Sequence, residues 1–471
     1  MARATHAAVG CGHGPIGIYG GGPLRRKLPG TANREDDIGK MKENNTTCDL
    51  LVIGAGAAGT AAALFAGKKG ISTAIVGIAS HLRFASGLMD LMDTHRTMGP
   101  FSQNAPWTAV QAIRTELPEH PYAKLPMETV RLALSQYLSI LEDEGLTYHC
   151  RSHENVQVIT SAGTLKTTYA VPAGMWPMDA VLRQPHPFLV VDIKGLKGFS
   201  AKQIMNTLGP HHPCKAFSVD ISQASGDFPA EQIARMFEQG DIRDHVVSLI
   251  RPNLQGMAAV GFPSVLGVCN SETVRLSMAE KLGVPVFEIP TIPPSIPGQR
   301  LETALVNQMN KQGVQAFLQE KVLSVDRVSN RGFECVVGRL HPQTTIRSRG
   351  VILATGRFFG KGLMADRKGL REAVFNLPVL QPEDRKLWHN KHFLEEHAIN
   401  QAGLETDGDF RPLASDGQPA HPALFATGSI LAHNDWMRKK CGMGVSIATA
   451  YAAVSSFERA MMVKEQPIEI G

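Results

Sequence analysis

The segment from Cys48 to Ala63 constrains this chain more than any other. An apolar run, Leu50-Leu51-Val52-Ile53, leads into Gly54-x-Gly56-x-x-Gly59, and the turn opens an alanine-rich helix. Strand, glycine turn and helix in that order predict a βαβ unit whose turn binds a nucleotide phosphate. Gly54 permits the tight turn. Gly56 lets the backbone around Ala57 and Ala58 come close to a phosphate, and Gly59 lets the helix pack hard on the strand. The helix N-terminus adds positive dipole charge at the same place.

The next strand breaks the pattern. The helix is predicted to run to about Lys69, with Gly70 closing it and Ser72 to Val76 forming the second strand. An adenine dinucleotide site ordinarily ends that strand in Asp or Glu, which holds the ribose hydroxyls. Here the position is Gly77, and no carboxylate follows until Asp90. The phosphate half of the signature is intact and the ribose half is missing. The pattern argues against NAD and favours FMN, with FAD held by other contacts as the alternative.

Two further glycine turns follow the same grammar near the C-terminus. Val351 to Leu353 leads into Ala354-Thr355-Gly356, and Leu424-Phe425-Ala426 leads into Thr427-Gly428-Ser429. Gly442 and Gly444 then open a last alanine-rich helix, whose N-terminus is predicted to face the negative charge a flavin ring gathers on reduction. Ser86-Gly87 forms a small-residue turn after the second strand, with backbone N–H groups available to the ring; a plain turn starting a short helix is the equal alternative. Three glycine turns in this order predict an α/β, Rossmann-like flavoprotein fold of the two-dinucleotide-binding-domain type.

Between these parts lies a stretch of different character. Met127 to Glu144 shows helical spacing, and Val156–Thr160, Phe188–Ile193 and Phe217–Ile221 read as strands. Helices are predicted near 228–250 and 271–282. The run Ile289 to Arg300 carries so much proline that it is predicted to be an extended, pre-ordered loop. The resulting division is a disordered extension over 1–47, a discontinuous flavin-binding domain over 48–100 and 296–471, and an inserted α+β substrate or partner domain over 101–295. Met41 is a candidate initiator, which would make the residues before it a mis-assigned extension.

Composition excludes several classes. A net charge of +5 over 471 residues, with no basic stripe interleaved with aromatics, does not argue for nucleic acid. The seven cysteines are scattered with no Cys-x-x-Cys, so no iron–sulfur or zinc site is expected within the chain. No apolar run reaches about 18 residues, the length a membrane span needs.

The sequence resembles the B subunits of anaerobic glycerol-3-phosphate dehydrogenases from about residue 48 to residue 460. The carrying residues are Gly54 to Gly59, Ser86 to Asp90, Gly163-Thr164-Leu165, Gly195 to Phe199, Phe262 to Gly267 and, most distinctively, Pro290 to Gly298. The resemblance implies an FMN-type flavoprotein that works with a larger, flavin-bearing A-type partner and an iron–sulfur C-type partner. Such a complex oxidises sn-glycerol 3-phosphate to dihydroxyacetone phosphate and passes electrons to quinone. It also implies a cytoplasmic location, peripheral to the inner membrane through a partner. Under that reading Arg300 and Lys361 are candidates for phosphate recognition, and His433 is a candidate base. Two other readings stay open: a soluble FAD-dependent oxidoreductase of fumarate-reductase type, and a non-catalytic protein for electron relay or docking.

Overall fold

The computed structural model describes residues 44–93, 104–184, 186–221, 226–328 and 332–465. Most of the expected N-terminal extension, residues 1–43, lies outside them. Its last four residues do not belong to it: β1 spans Asn44–Ile53, and Asn44 already pairs with Thr344.

The first sheet is built around β1. It is followed by α1 (Ala57–Lys68) and β2 (Thr73–Gly77), with Gly70 in the left-handed region at φ +74° between them. After a long excursion the chain returns through α8 (Ile296–Lys311), β7 (Gln315–Leu318), β8 (Lys321–Arg327), β9 (Phe333–Gly338), β10 (Pro342–Leu353) and β11 (Leu424–Ala426). The strand order is β7-β2-β1-β10-β9-β8, with β11 on the far half of β10. The strands β7, β2, β1, β10 and β11 run parallel, while β8, β9 and β10 form an antiparallel meander. Leu50, Leu51 and Val52 have no exposed surface. They sit in a central parallel strand covered on both faces, which is why the sequence there is continuously apolar instead of alternating. The last helix, α9 (Gly442–Glu465), packs against α1, with Phe65 and Tyr451 edge to face at 5.3 Å.

Helices α2 (Pro106–Glu116) and α3 (Met127–Glu142) bury Trp107, Ile113, Val130, Tyr137 and Leu141 in the apolar cluster of this same sheet. By core membership they belong with the flavin-type sheet, and the second core, apart from Leu88, takes its residues from Val156 onward.

That second core surrounds β3 (Phe188–Ile193), α4 (Ala201–Leu208), β4 (Cys214–Val219), α5 (Ala230–Phe237), α6 (Gly240–Ile250), β5 (Val260–Pro263), α7 (Ser271–Leu282) and β6 (Val286–Ile289). Small antiparallel pairs flank it, Tyr148–Cys150 with Ala170–Pro172 and Val156–Ile159 with Leu165–Thr168. The main sheet differs from the expected α+β insertion. It is wholly parallel, in the order β6-β5-β3-β4. Strand and helix alternate through this stretch, and such alternation makes parallel crossovers.

The proline-rich run also differs from expectation. Only its first part is extended; Ile296 to Arg300 are already helical. Ser295 accepts a hydrogen bond from Gly298 N at 3.0 Å as N-cap, and Pro297 stands in the first turn, where a missing N–H costs nothing.

Candidate functional site

The three glycine turns meet at the carboxyl ends of β1, β10 and β11. A Cβ at Gly54 (φ +113°) would stand 2.2 Å from Ala354 O, and one at Gly59 would stand 1.7 Å from Gly54 O. One at Gly428 would meet Ala58 Cβ at 2.5 Å, and one at Gly356 (φ +66°) would meet Ser429 Oγ at 3.4 Å. Thr427 and Thr449 share a hydrogen bond of 2.7 Å, and Gly428 N donates to Thr449 Oγ1 at 3.0 Å, which pins the last turn to α9.

Gly56 is the exception among these glycines. Nothing lies within 4 Å of where its Cβ would be. It is the N-cap of α1, with no side-chain cap and no acidic residue in the first turn. The opening N–H groups of a helix have no intrahelical acceptor, and here the space in front of Gly56, at the start of α1, is open to an anion. The donor set and the unfilled space fit the phosphate portion of a flavin nucleotide. The missing acid after β2 also has a steric reason. A Cβ at Gly77 would stand 2.4 Å from Ala55 N, inside the first glycine turn, so no carboxylate fits there.

Ser86 and Gly87 lie in a tightly packed loop. Gly87 (φ +82°) leaves room for Pro297, whose Cβ would lie 2.7 Å from an added Cβ, and its carbonyl accepts from Tyr148 Oη at 2.8 Å. Ser86 Oγ accepts from Leu88 N at 3.4 Å. Ser295 bonds the same loop twice, through Oγ to Ala85 O at 2.5 Å and through N to Arg83 O at 2.8 Å. Gly442 and Gly444 are likewise filled by protein. A Cβ at Gly442 would stand 3.1 Å from the Trp436 ring, and one at Gly444 would meet Tyr122 Oη at 2.1 Å. The close approach that Gly444 allows is therefore made by Tyr122, whose hydroxyl donates to Leu91 O at 3.0 Å.

The three candidate catalytic residues are not brought into one hydrogen-bonded set. Arg300 is committed to a buried network within the protein. Its Nη1 and Nη2 bond Glu288 at 2.6 and 2.9 Å, and Nε and Nη2 bond Gly267 O at 3.1 and 2.7 Å. With side-chain exposures of 5% and 1%, this pair leaves the guanidinium no donor face for a substrate phosphate. Lys361 is exposed, at φ +60°, close enough to His81 to oppose its protonation. His433, at φ +59°, places Nε2 3.2 Å from Glu405 Oε1.

Sequence reasoning missed Arg357. It follows the Ala354-Thr355-Gly356 turn and ties three loop carbonyls together, bonding Asn400 O, Leu431 O (3.1 Å) and Asn434 O (2.9 Å). Burial pulls its guanidinium down to about 10 against the opposing pull of Asp435 and Cys441. The available signal was a long cation directly after a small-residue turn. Among the described residues no group of three His, Cys, Asp or Glu is placed to hold a metal ion, and no helix is long and apolar enough to cross a membrane.

A glycine cradle at the carboxyl ends of a β7-β2-β1-β10-β11 parallel sheet defines a nucleotide-binding flavoprotein of the oxidoreductase class. In agreement, the family profile described as "FAD binding domain" matches residues 49–445. The chain belongs to the family of anaerobic glycerol-3-phosphate dehydrogenase B subunits. It is 30% identical to the probable B subunit of the anaerobic glycerol-3-phosphate dehydrogenase of Halobacterium salinarum, over 86% of this chain and 96% of that protein. It is 29% identical to the corresponding B subunit of Vibrio vulnificus, over 89% of this chain and 98% of that one. Among solved structures, E. coli quinol fumarate reductase FrdA is similar at 10% identity and a TM-score of 0.39, covering 90% of this chain and 72% of that one; so loose a likeness places no residues.

Proposed function

We propose that this chain is the flavin-carrying B subunit of a glycerol-3-phosphate dehydrogenase complex. The observation that carries the reading is the open backbone at Gly56, set between two glycines whose space is filled, in a chain whose relatives bear that name. A bound flavin supplies hydride acceptance from a carbinol carbon and single-electron exit to a redox partner. The chain's own part is to hold the phosphate on the first turn of α1 and to orient the alcohol. His433, positioned by Glu405, takes the C2 hydroxyl proton, and exposed Lys361 offers a point charge to the substrate phosphate.

The cofactor is FAD in this reading, since the family profile that spans the chain is that of an FAD binding domain. FMN is the second reading, favoured by Gly77, where no ribose-binding acid fits. The relatives' designation as B subunits supports assembly with further chains. We assign these as a catalytic A-type partner and an iron–sulfur C-type partner that delivers electrons to quinone at the membrane, with this chain on the cytoplasmic side. Three measurements test the proposal: chromatography of the acid-released flavin, anaerobic bleaching of the bound flavin by glycerol 3-phosphate, and dye reduction with and without the A-type partner. Bleaching by glycerol 3-phosphate, with turnover that rises when the partner is added, is the expected result. Flavin that glycerol 3-phosphate never bleaches, alone or with the partner, would refute the substrate assignment.

A further inference from the structure

His433 and Glu405, the pair placed at the substrate's alcohol, ride on two segments, 400–405 and 430–434. Backbone bonds join the segments: Leu404 N to Ile430 O, Ala432 N to Leu404 O and His433 N to Gln401 O, each 2.9 Å. With Nε2–H donating to Glu405 Oε1 at 3.2 Å, Nδ1 is the nitrogen left with a lone pair for the C2 hydroxyl proton. Its useful range is small, since a misplacement of about 1 Å can cost about a hundredfold in rate.

The backbone at His433 does not hold that position by itself. Its φ of +59° lies in the left-handed region, which a residue other than glycine keeps only where neighbouring contacts impose it. A single guanidinium supplies contacts on both sides of it. Arg357 Nη2 donates to Leu431 O at 3.1 Å and to Asn434 O at 2.9 Å, and these two carbonyls bracket His433 in the chain. Nη1 donates to Asn400 O, one residue before the carbonyl that receives His433 N.

The same side chain joins the pair to the cofactor cradle. Arg357 follows Gly356 directly, and its own carbonyl accepts from Gly362 N at 3.0 Å, which closes the loop beyond that turn. A Cβ at Gly356 would meet Ser429 Oγ at 3.4 Å, so the second and third glycine turns lie side by side at the start of the 430–434 segment. On the other side, Lys124 Nζ donates to Thr406 O at 2.6 Å and to Thr406 Oγ1 at 3.2 Å, which anchors the residue after Glu405. Glu405 thus has an anchor of its own, and His433 depends on Arg357.

The three acceptors that Arg357 holds are neutral carbonyls, so donor geometry is what the arrangement uses. A planar fork with two separated Nη groups reaches carbonyls on two segments at once, whereas an ammonium is a single point and cannot span them. An apolar chain of similar length, such as methionine, would leave all three carbonyls without this donor.

We propose that Arg357 is the positioning residue for the base: by clamping the carbonyls of Asn400, Leu431 and Asn434 it sets His433 against Glu405 and registers the pair on the glycine cradle. The proposal rests on the reading of His433 as base given above. The test uses the full chain with its flavin bound and the A-type partner present, and measures the rate of anaerobic flavin bleaching across glycerol 3-phosphate concentrations. Arg357→Met should lower the saturating rate by about 10- to 100-fold, with the half-saturating concentration and flavin content within about twofold of the unaltered chain. Arg357→Lys should recover part of that rate. His433→Gln should also be slow, and adding Arg357→Met to it should cost less than about twofold more, because a positioning residue then has nothing left to position. A merely structural arginine would lower the rate by the same factor in both backgrounds; that result, or an unchanged rate in Arg357→Met, would overturn the proposal alone. If Arg357→Met does not fold, Arg357→Lys gives the same comparison of the two backgrounds. If His433→Gln bleaches as fast as the unaltered chain, or glycerol 3-phosphate never bleaches the flavin, the base or substrate reading falls and this proposal falls with it.

Discussion

Gly56 can be separated from its two neighbouring motif glycines by substitution. As N-cap of α1 it has φ −81° and ψ −167°, an extended conformation open to a β-branched residue. Gly56→Val should therefore fold. Loss of glycine's modest N-cap preference costs about 1 kcal/mol, or roughly 1 °C in thermal midpoint for a chain this long. The isopropyl group occupies the space left open in front of the first turn, so at least one or two charge-assisted N–H bonds to the cofactor phosphate are lost. At about 1.5–3 kcal/mol each, flavin binding should weaken by about 10- to 100-fold or more. Gly54→Ala and Gly59→Ala are opposite in kind. The first puts a Cβ 2.2 Å from Ala354 O at φ +113°, and the second puts one 1.7 Å from Gly54 O. Both should destabilise the fold by about 2–5 kcal/mol through backbone displacement and strain. Flavin-to-protein ratio after desalting, circular dichroism and thermal melting read all three variants. A Gly56→Val protein that keeps stoichiometric flavin with undiminished affinity would refute the reasoning, as would a Gly54→Ala protein as stable as the parent.

Two further outcomes follow from buried charge. Glu288→Ala strands the Arg300 guanidinium with a 5% exposed side chain and should cost about 3–5 kcal/mol in urea unfolding, while joint replacement of Glu288 and Arg300 by methionine should recover most of that; a single-variant loss below about 1 kcal/mol would contradict the network. Burial, and after it the charge of Lys361, holds His81 below its ordinary 6.5. As pH falls below 6.5 the unfolded chain takes up that proton before the folded one does, so stability declines from there to the folded pKa. His81→Asn should remove this part of the pH dependence, and Lys361→Ala should raise the His81 pKa part of the way, as read by NMR titration; an unchanged pH–stability curve in His81→Asn would contradict the assignment.

The first sheet was legible because its signals are local. Gly54, Gly56 and Gly59 sit between an apolar strand and an alanine-rich helix, and the two later turns repeat the pattern. What the sequence hid is which glycine serves whom. Gly56 and Gly444 look alike in sequence, but one faces open space and the other faces Tyr122, more than 300 residues away along the chain. Arg300 looks like a free cation until Glu288, on the preceding strand, is placed 2.6 Å from it. The parallel order of the inserted sheet was missed because its strands were read one by one. The expected strand at Phe217–Ile221 is in fact Cys214–Val219, shifted toward a Lys-containing start that hides the apolar run.

The pairing of β1 with β10 sets an order of events during synthesis. Ile53 lies beside Leu353, so the central strand of the cofactor cradle waits for a neighbour made about 300 residues later. At roughly 5–20 residues per second, ribosomal elongation leaves that interval at about 15–60 s. Throughout it, Leu50 to Ile53 lack one of the two strands that cover them in the finished sheet. The first glycine turn of the cradle is thus translated long before the strands that complete it. Cofactor capture waits for that completion, and a nascent chain stalled before β10 presents an open strand edge that ends in the apolar run Leu50 to Ile53, the kind of surface that holding chaperones recognise.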